Sequence, residues 1–296
     1  MPISQAYRRC PAAVFVRPDM AKYRQTSRRI REIFREITDL VEPLSIDEAF
    51  LDTSHLVEDP PAAVRLAREL KLRVLSREKL TASVGIGPSK FIAKIASDLR
   101  KPNGLLLIRP EEVQQFLDPL PISRIWGVGP RTEERLGEMG VATILELRRL
   151  DATALEHRFG KLGQHLARLA CGVDERPVVV ERRAKSISQE HTFLEDTTDR
   201  AKMDESLSKM SEKVAGRLRR ADWVARTVCL KLRYSNFRTL TRQVTLRQPT
   251  AEAAEILRIV RRLLNRQLRP EDRVRLLGVG VSALENRAHL RQLSLF

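Results

Sequence analysis

The amino-acid sequence predicts a multidomain α+β protein, and three observations carry that prediction. The order of elements changes twice along the chain. A mixed helix-and-strand front gives way to short helices punctuated by glycine, and then to a C-terminal third that reads β-α-β-β-α-β. At 296 residues and 42% hydrophobic content, the chain is long and apolar enough for two or three cores, which excludes wholesale disorder. Its 54 Lys and Arg exceed its 38 Asp and Glu, a formal charge of +16 that favours a polyanionic partner.

In the front segment, Ile30, Ile33, Phe34 and Ile37 recur at helical spacing between Ala21 and Leu40, with Arg28, Arg29, Arg31 and Arg35 among them. Asp19, behind Pro18, reads as the N-cap of that helix. Leu44 and Ile46 then alternate with polar neighbours, and Phe50 and Leu51 resume apolar character. This predicts a hairpin with Asp47 and Glu48 near its bend, the geometry that lets adjacent carboxylates share a metal. A helix opened by Pro60-Pro61 follows, with Val64, Ala67 and Val74 on one stripe, then a β-like run from Thr81 to Ile86. Phe91, Ile95 and Leu99 stand at i, i+4 and i+8 of a third helix stopped by Pro102, and a strand runs from Leu105 to Ile108. Residues 14 to 108 thus read as an α+β unit whose sheet carries the acidic pair.

An acidic pair in a basic protein suggests a divalent cation held where a polyanion approaches, because Mg²⁺ takes hard oxygen ligands and bridges them to phosphate. Lys90, Lys94 and Lys101, spaced by four and seven, would form one row of ammonium groups opposite those carboxylates, suited to a triphosphate. Pro102-Asn103-Gly104 would pin Lys101 at a rigid corner.

From Glu111 to Val178 the pattern is helical throughout. Ile125-Trp126-Gly127-Val128-Gly129-Pro130 reads as a helix-hairpin-helix, with Trp126 as its anchor and Pro130 opening the second helix. There Gly127 and Gly129 would let backbone N–H groups approach a nucleic-acid phosphate. Beyond Arg182 the predicted strands are about 184 to 194, 224 to 234, 238 to 248 and 273 to 283, with helices at 200 to 221 and 251 to 267, a split-βαβ order. Alternation in Thr227 to Tyr234 sends Val228, Leu230 and Leu232 to one face and Lys231 and Arg233 to the other. The open face of the sheet is therefore expected to be basic. The chain closes on Gln292-Leu293-Ser294-Leu295-Phe296, whose large apolar residues bury nothing unless a partner supplies the pocket.

Cys10, Cys171 and Cys229 are odd in number and far apart, which argues for reduced, mostly buried thiols and against a disulfide framework or zinc site. The five histidines show no metal-binding spacing, although His157 and His165 would align two turns apart on a single helix. No run approaches a membrane span and Met1 opens no secretory signal, so the expected compartment is the cytoplasm.

Taken together, the chain resembles a Y-family translesion DNA polymerase of the DNA polymerase IV type. Four segments carry the resemblance: Glu42 to Asp52, with the run SIDEAFLD; Ser83-Val84-Gly85-Ile86-Gly87 through Lys101-Pro102-Asn103-Gly104; the hairpin around Gly127 and Gly129; and Lys185-Ser186-Ile187-Ser188 with Thr192-Phe193. The resemblance implies a right-hand architecture with residues 1–18 a remnant of fingers and palm edge and 19–108 a partial palm. It makes 109–178 the thumb, 179–285 the little finger and 286–296 a clamp-binding tail. It implies Asp47 as a metal-ligating aspartate, Glu48 as the catalytic glutamate and Lys101 as a contact to the incoming nucleotide's phosphates, with two Mg²⁺ ions as cofactor. DNA contacts are expected at Gly127, Gly129, Lys185, Lys231, Arg233, Arg238 and Arg242, and sliding-clamp contacts at Gln292, Leu293, Leu295 and Phe296. The partners expected are primer-template DNA, dNTP and the clamp, for a monomer with no membrane association. In the family a palm strand with a further metal-binding aspartate, a steric gate and most of the fingers come first, and the segments matched here begin after them. Two readings therefore arise: error-prone, template-directed DNA synthesis, or a non-catalytic DNA- and clamp-binding protein derived from such a polymerase.

Overall fold

The computed structural model describes residues 1–181 and 183–287. The chain divides into two compact units, Met1–Glu181 and Arg182–Phe296.

In the first unit, α1 (Ile3–Arg9) precedes α2 (Met20–Arg35), which Asp19 caps by accepting from the Ala21 and Lys22 N–H groups, as its place after Pro18 suggested. The acidic pair lies in the connection between β1 (Val41–Pro43) and β2 (Ala49–Leu51), an antiparallel pair in the register Glu42 to Phe50. Next come α3 (Pro60–Glu78), β3 (Val84–Ile86), α4 (Lys90–Leu99) and β4 (Leu105–Leu107). The single sheet expected over this stretch is instead two separate pairs, because β3 pairs in parallel with β4 and neither pairs with the hairpin. Each strand is three residues long, too short to present a second edge for further pairing.

Five helices complete the unit: α5 (Val113–Leu117), α6 (Pro130–Gly137), α7 (Ile144–Arg149), α8 (Ala152–Phe159) and α9 (Lys161–Ala170). One core joins Phe91, Ile92 and Ile95 of α4 to Leu117, Leu136, Leu147 and Leu166 of these helices, so packing is continuous across residue 108. His157 and His165 do not share a helix. Gly160, at φ +60°, ends α8 between them.

Two glycines of the motifs quoted above have a packing reason. A Cβ at Gly85 would lie 2.1 Å from the Ala93 carbonyl oxygen and 2.3 Å from the Ser97 nitrogen, because β3 presses directly on the backbone of α4. At Gly104 the obstruction is the Arg100 carbonyl oxygen at 2.0 Å. Gly85→Ala is therefore expected to destabilise the first unit by about 1–3 kcal/mol, since backbone rather than a flexible side chain must yield. A urea midpoint unchanged from the parent would contradict this packing.

The second unit contains β5 (Ser186–Thr197), α10 (Arg200–Arg220), β6 (Trp223–Tyr234), β7 (Thr239–Thr250), α11 (Ala253–Asn265) and β8 (Val274–Asn286). The sheet order β5-β8-β6-β7 is antiparallel throughout. Each βαβ unit is thus split by one intervening strand, as the element order predicted. Val228, Leu230, Leu232, Leu277, Val279 and Val281 bury one face against Met203, Leu207 and Val214 of α10 and Ile256, Ile259 and Val260 of α11. Among the described residues all three cysteines are free, but Cys10 and Cys171 are exposed rather than buried, and only Cys229 is partly covered. No helix of the described residues is long and apolar enough to cross a membrane.

Candidate active site and nucleic-acid surfaces

The acid loop is closed by its own backbone, with the Leu44 N–H donating to the Glu48 carbonyl at 2.9 Å. Asp47 is exposed, and its Oδ1 accepts from the Ser45 hydroxyl, while the Asp47 N–H donates back to that oxygen at 3.2 Å. Arg31 of α2 donates to the Ser45 carbonyl at 3.2 Å and steadies the bend. Glu48 is held from the opposite side, since Lys94 Nζ of α4 lies 2.9 Å from Glu48 Oε1 and 3.1 Å from Asp98 Oδ2. Lys101 Nζ closes the chain at 2.6 Å from Asp98 Oδ1. The order carboxylate, ammonium, carboxylate, ammonium leaves Lys101 half-exposed at the corner where Asn103 takes a left-handed φ of 52°.

The row of three lysines is therefore two plus one. Lys94 and Lys101 flank Asp98 beside the acid loop. Lys90 lies in the interior, 2.7 Å from Glu42 Oε2 and 2.7 Å from the Pro177 carbonyl, with its ammonium 5.6 Å from the Phe50 ring centroid. A buried amine committed to a buried carboxylate is not available to a triphosphate.

Burial pushes the Asp98 carboxyl up, but the hydrogen bonds from Lys101 and Lys94 outweigh it and hold Asp98 below the usual carboxylate range. Its contribution to stability is therefore present above the unfolded value of about 4 and is lost as pH falls through the lower folded value. Asp98→Asn is expected to flatten the fall in melting temperature below about pH 4. Parallel acid profiles for parent and variant would overturn that reading.

Two carboxylates at a solvent-facing bend suit a hard divalent ion of the Mg²⁺ type, which one or two carboxylates hold together with water and substrate phosphates. Among the described residues no group of three or more His, Cys, Asp or Glu is placed to hold a metal ion by itself. Asp47 and Glu48 fit an ion whose shell a phosphate completes.

In the helix-hairpin-helix segment, Gly127 takes φ +101° and Gly129 is the N-cap of α6, with Pro130 at its first turn as expected. A Cβ at either glycine would meet nothing within 4 Å, so the backbone here is open to a ligand. The anchor is Ile125, only 1% exposed, rather than Trp126, whose ring stands 44% exposed with the Arg176 guanidinium 5.5 Å from its centroid.

On the second unit, Lys231 and Arg233 lie on the open face of the sheet, as alternation predicted. Register brings Glu190 of β5 to the same face, where it pairs with Lys231 at 2.8 Å, so the acid that β6 and β7 lack comes from the edge strand. The middle of the face is floored by Gly278 and Gly280, opposite Lys231 and Cys229. Arg242 instead stands opposite Leu230, on the helix side, and donates to Gln267 Oε1 at 3.1 Å. Arg238 lies over the ring of buried Tyr234, 4.8 Å from its centroid. Neither belongs to the face that carries Lys231 and Arg233. Lys185 is exposed immediately before β5. Gln292, Leu293, Leu295 and Phe296 lie outside the described residues.

Sequence reasoning missed Asp98 as the hub of the two lysines and Ser45 as the hydroxyl on Asp47. The first was signalled by the i, i+4 spacing of Lys94 and Asp98 on one helix. Nothing in the sequence announced the second.

Residues 1–98 match the impB/mucB/samB family, 110–141 the IMS family HHH motif, and 184–295 the impB/mucB/samB family C-terminal domain. The chain is 45% identical over 287 residues to a DNA polymerase IV of Xanthomonas campestris pv. campestris (strain 8004), covering 97% of this chain and 80% of that one. It is 44% identical over 298 residues to the DNA polymerase IV of Alkalilimnicola ehrlichii, covering 100% of this chain and 84% of the relative. Among solved structures it is similar to a Y-family DNA polymerase chimera of Dbh and Dpo4, with a TM-score of 0.86, 30% identity and coverage of 96% and 82%. An insertion ternary complex of Dbh DNA polymerase is similar with a TM-score of 0.64, 29% identity and coverage of 95% and 82%.

Proposed function

The chain belongs to the Y-family DNA polymerases of the DNA polymerase IV type, enzymes of translesion DNA synthesis, and from that premise we propose that Asp47 and Glu48 are the carboxylates of its polymerase site. The observation that carries this reading is the solvent-facing acid bend with Lys94 and Lys101 behind it.

The reaction joins a primer 3′-hydroxyl to the α-phosphate of a dNTP and releases pyrophosphate. In our reading Asp47 and Glu48 would hold two Mg²⁺ ions, whose chemistry when bound is to neutralise charge on the phosphoryl group and lower the cost of ionising the hydroxyl. Lys101, half-exposed at its corner, offsets charge on the triphosphate. Lys94, 2.9 Å from Glu48 Oε1, fixes the orientation of that carboxylate at the bend. Gly127 and Gly129 offer open backbone to a DNA phosphate, and Lys185, Lys231 and Arg233 supply cations on or beside the open face of the sheet. Arg238 and Arg242 would contribute from the helix side of the sheet only. Residues 19–108, 109–178 and 179–285 then correspond to palm, thumb and little finger, in a cytoplasmic monomer. The tail Gln292 to Phe296 would tether the enzyme to a sliding clamp and so raise its effective concentration at primer ends.

The relatives favour synthesis over the non-catalytic alternative. Single-nucleotide addition to a primer-template by this chain, with Mg²⁺ and with chelator, tests the choice. Addition that chelator abolishes is the expected result, whereas tight DNA binding with no addition would restore the binding-protein reading. Affinity for primer-template is expected to fall linearly with log salt, by about 0.9 log units per neutralised phosphate for each tenfold rise. A flat dependence would remove the proposed phosphate contacts.

A further inference from the structure

Away from the acid loop, the first unit carries a cleft of about 320 Å³ between the start of α3 and the end of β4. Its floor is apolar, made by the Pro60-Pro61 pair, Val64 and Leu107, and its rim carries Arg65, Arg68 and Arg109. All three arginines are exposed. Elsewhere on α2 and α3, Arg29 pairs with Glu78, and Arg73 and Arg77 pair with Glu36. The arginines of the cleft have no carboxylate within ion-pair distance among the described residues. The acids nearby in sequence are already engaged: Glu69 with Arg73, Asp59 with the Ala62 N–H, and Glu112 with the Arg109 N–H. The rim is rigid, since Ala67, Leu70 and Val74 bury α3, and Arg65 and Arg68 are neighbours at i, i+3.

An apolar notch rimmed by three unneutralised guanidiniums asks for a ligand that combines negative charge with a bulky apolar group. A nucleic-acid backbone would meet the arginines but leave the apolar floor uncovered, and no aromatic side chain lines the cleft to stack a base on it. Carboxylates match the guanidinium fork bidentately, and an aliphatic side chain matches the floor. We infer that this cleft is the docking site for an acidic segment of a partner protein, an extended peptide with two or three carboxylates beside a large aliphatic residue. The aliphatic group sits on Val64 and Leu107, and the carboxylates meet Arg65, Arg68 and Arg109. The site shares no residue with the acid loop, the helix-hairpin-helix or the open sheet, so it stands whether or not the polymerase reading does.

The test is fluorescence anisotropy with the full chain and a labelled hexapeptide, Asp-Asp-Glu-Leu-Ala-Leu, at low salt. The parent is expected to bind it and to ignore the same peptide with Asn and Gln in place of the acids. Arg65→Gln, Arg68→Gln and Arg109→Gln together are expected to weaken binding about tenfold or more, and Val64→Ser severalfold with all three arginines kept. Each variant is first shown to melt like the parent, and the exposed arginines make that the expected result for the triple variant. Absence of binding by the parent, or undiminished binding by the folded triple variant, overturns the proposal. Displacement of the peptide by an equal concentration of (dT)6 also overturns it, by assigning the arginines to phosphate.

Discussion

Asp47→Asn and Glu48→Gln are each expected to lower the rate of single-nucleotide addition by about 10³-fold or more, close to 4 kcal/mol of transition-state stabilisation. The two substitutions act differently. Asp47 is exposed and hydrogen-bonded only within its own bend, so removing its charge removes a hard ligand without disturbing the fold. Glu48 also balances Lys94, and Glu48→Gln leaves that ammonium with Asp98 alone, which pulls the lysine away from the bend. A slower maximal rate with little change in primer-template affinity is expected for both. Lys101→Ala is expected to behave otherwise if the proposed site holds, raising the dNTP concentration for half-maximal rate more than it lowers the rate, because in that proposal Lys101 addresses the phosphates and not the bend. Rapid-quench measurements at varied dNTP separate these patterns. Parental rates in both carboxylate variants would show that the acid bend is not the reacting centre.

How much of this was legible in the sequence depends on whether local pattern or long-range packing decided each feature. Alternation in β6 placed Val228, Leu230 and Leu232 inside and Lys231 and Arg233 outside, because a strand's faces follow from residue parity alone. The bend with Asp47 and Glu48 was legible from the apolar residues on either side of it, although Leu44 and Ile46, read as alternating strand residues, lie in the bend itself and Ile46 is exposed. Parity along one strand cannot say which face a neighbour's residue joins, however. Arg242 fell on the helix side because register pairs it with Leu230, and register is set across strands. Glu190 reached Lys231 by the same route. Lys90 misled for a further reason. Its spacing from Lys94 is that of a solvated stripe, and only the return of the chain at residues 174–179 closes over it and turns a surface lysine into a buried one. The separation of 87 residues between Lys90 and Pro177 is invisible to any local window.

That closure sets the second large expectation, a loss of about 3–5 kcal/mol in the stability of the first unit on Lys90→Met. Lys90 and Glu42 side chains are 8% and 1% exposed, so the methionine removes a cation 2.7 Å from a buried carboxylate. Glu42 Oε2 also accepts from the Val179 N–H at 2.9 Å, and the Phe91 N–H donates to Asp174 Oδ2 at 3.1 Å. The segment 174–179 is thus tied at one end to the start of α4 and at the other to Glu42 of β1, with Arg176 paired to Asp174 in between. Removing Lys90 unties its centre, where the Pro177 carbonyl loses its 2.7 Å donor. Adding Glu42→Leu to Lys90→Met should recover part of the loss, because the buried charge that Lys90 balanced goes with it, but not all of it, because the Val179 N–H and Pro177 carbonyl then lose these partners. Lys90→Arg keeps the charge yet adds bulk where nothing yields, and should fall between the parent and Lys90→Met. Urea midpoints rank these variants, and hydrogen exchange at the Val179 amide shows where the loss is felt. Unchanged exchange at Val179 in Lys90→Met would mean that Glu42 holds the Val179 amide without help from Lys90.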